Sequence, residues 1–144
     1  MSRLGRPLFL AAALLIGSSR EVQADPARGE RVFQRCYACH SVKPEESNLP
    51  GPNLGGAFGR RAGSLAGFDF SPAMIEAGLR RHIVWTRKTL DAFLADPERL
   101  VPGTTMAMPG LSKADERRDL IDYLEKAARA ARAAPGKSRE RVTR

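Results

Sequence analysis

Only two cysteines occur in this chain of 144 residues, three positions apart and followed at once by a histidine: Cys36-Tyr37-Ala38-Cys39-His40. No other stretch limits what the chain can fold around so strongly. C-x-x-C-H is the attachment pattern of c-type haem. Two thiols add across two vinyl groups on one edge of a porphyrin and become thioethers. Two intervening residues let a helical turn present both sulfurs to that edge. The histidine behind Cys39 then lies under the iron, where a neutral imidazole nitrogen can bind it. Cys36 and Cys39 are therefore the expected covalent anchors, and His40 the expected axial ligand, of one haem c.

A C-x-x-C pair by itself also suits a redox dithiol, half a zinc site or a disulfide. A thioredoxin-like dithiol should follow a strand in a βαβ pattern, and no such pattern is present. Structural zinc takes about four Cys or His ligands, whereas this chain offers Cys36, Cys39, His40 and one distant His82.

The first 24 residues read as an export signal, with Arg3 and Arg6 ahead of the apolar run Leu8–Ile16 and a small-residue ending at Val22-Gln23-Ala24. The alternative, an uncleaved anchor, needs about 20 apolar residues, and the run is far shorter. Cleavage after Ala24 would start the mature chain at Asp25 in a periplasm, where thioether attachment takes place. The full chain has 24 basic and 16 acidic residues. Losing Arg3, Arg6, Arg20 and Glu21 leaves a net +6. From Lys126 onward seven basic residues face only Glu140, also a net +6, so residues 25–125 are about neutral. The high isoelectric point belongs to the tail, and export removes nucleic acid as a target. The chain thus divides into a signal (1–24), a folded domain (25–125) and a basic Ala/Arg-rich helical extension with a disordered tail (126–144).

Along the domain, Asp25-Pro26 starts a helix expected to reach about Arg35. Gly29 lies within it at a cost of about 1 kcal/mol against alanine, either because another helix comes close or because it is tolerated. A Gly/Pro-rich loop follows His40. Ser71-Pro72 opens a second helix and Thr86 a third, Arg87 to about Ala95, stopped before Pro97. Val101–Leu111 reads as loop. Ser112 is expected to cap a last helix with Leu120, Ile121 and Leu124 on its buried face, running to Ala134 before Pro135-Gly136. The expected fold class is all-α: about 100 residues of short helices and long loops. Such a body buries little apolar area on its own, and a flat apolar cofactor would serve as its core.

From about Gly29 to Leu124 the chain closely resembles the class I cytochromes c, in particular the monohaem bacterial carriers related to mitochondrial cytochrome c. The resemblance rests on Gly29-Glu30-Arg31-Val32-Phe33, the Cys36–His40 run, Gly51-Pro52-Asn53-Leu54, Gly59-Arg60, the Ile-Val-Trp-Thr run at Trp85, and Pro102-Gly103-Thr104-Thr105-Met106. It implies the cytochrome c fold wrapped around one covalent haem. It implies that the Pro52 carbonyl accepts from the ligating imidazole, that Arg60 and Trp85 face the haem propionates, and that Met106 sulfur is the sixth ligand. Met108 is the near competitor; Met74 is expected in the core. Phe70, Phe93, Thr105 and Met74 stand where a tyrosine, a tyrosine, a lysine and an asparagine are common. About four extra residues fall around Leu79–His82, making His82 a surface histidine.

The implied function is periplasmic one-electron transport by iron that keeps both ligands, without enzymatic activity. The partners are redox proteins, and a monomer is expected. The basic tail is a weak contact for anionic membrane or acidic proteins, or a solvated extension with no role. The other readings are a dedicated cytochrome subunit of a periplasmic dehydrogenase, and a haem enzyme or gas sensor with an open sixth position.

Overall fold

The computed structural model describes residues 25–133. The expected signal segment, the helix stop at Pro135-Gly136 and the tail lie outside the described residues. Within them the elements are α1 (Pro26–Phe33), α2 (Pro72–Leu79), α3 (Arg87–Ala95), α4 (Pro97–Leu100) and α5 (Ala114–Ala133). The expected all-α class holds. The nearest thing to a strand among the described residues is a single antiparallel bridge between Arg61 and Val84.

Each short helix starts on a side chain that satisfies an orphan amide. Asp25 accepts from the Ala27 amide, Ser71 from Met74, and Thr86 from Thr89, whose own hydroxyl reaches back to the Thr86 amide. α1 ends two residues sooner than the apolar pattern suggests. The backbone then tightens into i→i−3 bonds, Arg35 to Val32 at 3.1 Å and Cys36 to Phe33 at 2.8 Å, and so enters the thiol-bearing turn. α4 is an addition to the expected elements. Pro97 does stop α3, but Asp96 leaves that helix in extended conformation and caps the next one, with Pro97 at its first position. The expected Ser112 cap is also corrected: α5 begins at Ala114. The Leu111 and Ser112 carbonyls are instead taken by the Arg117 guanidinium at 2.7 and 3.1 Å, and its Nε donates to Asp91 at 2.7 Å.

α1 and α5 meet at Gly29. A Cβ there would sit 2.0 Å from the Asp119 carbonyl oxygen and 2.7 Å from Tyr123 Cβ, so close approach is the reason for this glycine. α3 is tied to the same helix by Arg87, which donates to Asp122 and Glu125. Apolar side chains gather in two groups. Val32, Phe33, Leu90, Leu94, Leu111, Leu120, Ile121 and Leu124 form the larger. Ala62, Met74, Ala77, Ile83, Phe93 and Val101 form the smaller, with Met74 in the core as expected. Trp85 packs against both.

Candidate haem site

Between these groups lies a cleft of about 440 Å³. Leu90, Leu94, Leu120 and Leu124 line it from the larger group, Met74 and Phe93 from the smaller. Cys36, Cys39 and His40 open into it from the turn after α1, where the Cys39 and His40 amides both return to the Cys36 carbonyl, at 3.0 and 2.8 Å. The two cysteines are not joined in a disulfide. Cys36 is half-buried, and desolvation pushes its thiol up, opposed by the neighbouring Arg35 charge.

The His40 ring is oriented from behind. Nδ1 lies 2.8 Å from the Pro52 carbonyl oxygen. A carbonyl can only accept, so Nδ1 carries the proton and Nε2 keeps its lone pair. Burial lowers the imidazole pKa more than the Pro52 bond raises it, which holds the ring neutral. This is the tautomer and charge state a metal-binding histidine needs. Gly51 closes on the same ring: a Cβ there would meet His40 Cε1 at 2.4 Å and Nδ1 at 2.6 Å. The sequence marks Gly51 only as a loop breaker, because this steric role depends on a contact eleven residues back in the chain.

Met106 and Met108 both line the cleft. Met106 packs against the smaller apolar group and Met108 against the larger. Their loop is set by Thr104, whose hydroxyl accepts from the Met106 amide at 3.3 Å, and by a 2.9 Å bond from the Met108 amide to the Met106 carbonyl. His82 is elsewhere, exposed at the turn after α2 with φ of 53°.

The family model for cytochrome c matches residues 26–128, most of the chain. This chain belongs to the cytochrome c family. It is 45% identical over 104 residues to cytochrome c type-1 of Ascaris suum, covering 72% of this chain and 88% of that one. To cytochrome c2 of Rhodomicrobium vannielii it is 39% identical over 116 residues, covering 81% and 90%. Among solved structures, cytochrome cH from Methylobacterium extorquens superposes with a TM-score of 0.65 at 39% identity, covering 72% of this chain and 99% of that one. The fold is therefore the cytochrome c fold, the cofactor one covalent haem c at Cys36 and Cys39, and the work of the family haem-based electron transfer.

The remaining residues of this cytochrome c suit that cofactor. The walls of the cleft are mostly apolar, as a porphyrin face requires. Arg60 also lines the cleft, half-buried, with Nη2 donating to the Asn53 carbonyl at 3.1 Å. Burial pushes its pKa down, and it forms no ion pair among the described residues. A partly desolvated cation beside an apolar cleft fits the acid groups at a haem edge. Asn53 has no role that the sequence reveals. It organises the loop, donating to the Lys43 and Glu46 carbonyls at 2.6 and 3.0 Å and accepting from Gly55. Trp85 lines the cleft with its ring 5.1 Å from Phe93, and its amide bonds the Arg60 carbonyl at 3.0 Å. Phe70, which lacks the hydroxyl common there, lines the cleft beside Phe68 at 4.7 Å.

Proposed function

We propose that this cytochrome c is an exported, periplasmic one-electron carrier whose haem iron is bound by His40 Nε2 and Met106 sulfur. The observation that carries the reading is the His40–Pro52 bond of 2.8 Å, which leaves a neutral imidazole with a free lone pair in the same cleft as Met106. A bound haem would supply an iron that alternates between ferrous and ferric states. Pro52 orients the imidazole, Gly51 leaves it room, and Arg60 and Trp85 face the propionates. A soft, neutral thioether favours the ferrous state. With both axial positions filled by protein, no substrate reaches the metal, and the protein transfers electrons without acting as an enzyme.

We assign residues 1–24 to a cleaved signal, 25–125 to the haem domain, and 126–144 to a basic extension and tail. No helix of the described residues is long and apolar enough to cross a membrane. Cys39 is exposed, so the thioether side reaches the surface, and redox partners dock there through a small interface on a monomer. A visible spectrum of the exported protein tests the ligands. The ferric form should show the weak far-red absorption of a thioether–iron bond, and the pyridine haemochrome should report two thioethers. Rapid carbon monoxide binding by the ferrous form, with no far-red band, would overturn the reading in favour of an open site.

A further inference from the structure

We propose that removal of the signal also completes the fold, by turning the Asp25 backbone nitrogen into an ammonium group seated on the buried carboxylate of Asp119. The inference rests on the proposed cleavage after Ala24 and goes beyond it. The Asp25 nitrogen already donates to Asp119 Oδ1 at 2.8 Å. Asp119 is 4% exposed, on the face of α5 that meets α1. In the uncleaved chain that nitrogen is an amide with one proton and no charge. Hydrolysis consumes one water: the Ala24–Asp25 bond breaks, oxygen goes to the Ala24 carbonyl, and the nitrogen gains hydrogen. At neutral pH the new amine takes up a further proton from solvent. No oxidant or reductant enters. The position of the acceptor does not change, but the amide–carboxylate bond, in which only the acceptor carries charge, becomes an ion pair with a full charge on each side.

The local charges make this more than a surface pairing. Arg28 Nε reaches Asp119 Oδ2 at 3.0 Å and the Asp25 carboxylate at 3.6 Å. Asp25 Oδ1 accepts from the Ala27 amide at 2.9 Å. One guanidinium thus meets two carboxylates, and the new ammonium brings these groups from net −1 to zero. Of the other acids of α5, Glu116 pairs with Arg35 and Lys113, and Asp122 and Glu125 pair with Arg87, while Asp115 stands exposed one turn before Asp119. Tyr123, whose Cβ faces Gly29, titrates above its usual value because of burial. An α-amine ordinarily titrates near about 7.7–8.0, and a carboxylate partner raises that in the folded state. Stability from the pair is then fully present below the ordinary value and lost as pH rises through the raised one.

The test uses full-length precursor, exported and loaded with haem in a competent host. Intact mass reads where the mature chain starts. A second precursor carries Ser-Gly between Ala24 and Asp25, so that cleavage after Ala24 leaves Asp25 with an ordinary amide. Melting midpoints of both are compared at about pH 6.5 and about pH 10, each with and without the Asp119→Asn substitution. Natural maturation should give a midpoint about 4–8 °C above the extended form at the lower pH, closing at the higher, and no difference once Asp119→Asn is introduced. Should Asp119→Asn not fold, the pH dependence of the first pair decides alone. A gap that is absent, that is equal at both pH values, or that survives the Asp119→Asn substitution overturns the pairing while leaving the cleavage site intact. A first residue other than Asp25 overturns it through the cleavage reading, and the mass distinguishes the two failures.

Discussion

Gly51 leaves the His40 ring its place, and only a hydrogen atom fits there. In Gly51→Ala the methyl would lie 2.4 Å from Cε1, so the imidazole must turn off the Pro52 carbonyl. We expect the variant to lose far-red absorption and about 1–3 kcal/mol of stability, read by optical spectrum and melting. The two loop methionines call for a paired comparison. Met106→Ala should abolish the far-red band and admit carbon monoxide. Met108→Ala should keep the band, exclude carbon monoxide and lose up to about 2 kcal/mol of packing; the reverse pattern would move the ligand to Met108. The covalent anchors were legible because their chemistry is local to five residues, and so was the place of the adjacent His40 in the cleft. The choice between Met106 and Met108 was not legible from composition or periodicity. It depended on the resemblance, and the structure brings both side chains to the same cleft.

At the level of elements, the contact of α1 with α5 is set by one missing side chain. Gly29→Ala pushes a methyl into the Asp119 carbonyl at 2.0 Å, and no rotamer change relieves a clash with backbone. A loss of about 3 kcal/mol or more is expected, a melting drop of roughly 12–24 °C, with haem still attached. The loop that carries Pro52 is held from its far end by Glu46, which accepts from buried Ser41 at 2.6 Å and from Lys43 at 3.0 Å. The Ser41 bond, then the Lys43 bond, holds this carboxyl below its usual 4.5. A depressed carboxyl contributes above the unfolded value and loses its contribution as pH falls through the folded one. Glu46→Gln should therefore flatten the acid limb of the denaturant midpoint below about pH 4.5; an unchanged limb would remove Glu46 from the account. Helix starts at Asp25, Ser71 and Thr86 could be read because cap and first turn are neighbours in sequence. α4 and the start of α5 could not. Asp96 serves two helices at once, and Arg117 reaches Asp91 on α3 and the carbonyls of the segment leading into α5.

For the molecule as a whole, the cleft weighs against everything else. It is about 440 Å³ in volume and mostly apolar, and a flat apolar group seated there takes its walls out of water. The two apolar groups flank it and Trp85 joins them, so the cofactor is the missing middle of the core. Removing both anchors with Cys36→Ala and Cys39→Ala should leave an exported chain without covalent haem and without a cooperative melting transition, measured by calorimetry and near-ultraviolet circular dichroism. A sharp transition near that of the holoprotein would show that the polypeptide closes by itself.

The pairing of the first helix with the last has a bearing on biogenesis. On the proposed export, a polypeptide threaded N-terminus first would deliver Cys36 and Cys39 across the membrane while α5 is still on the other side. Until Asp119 arrives, nothing can settle onto Gly29. On that reading the thiols would stay open to haem attachment until the final helix has followed, because the close contact at Gly29 needs Asp119.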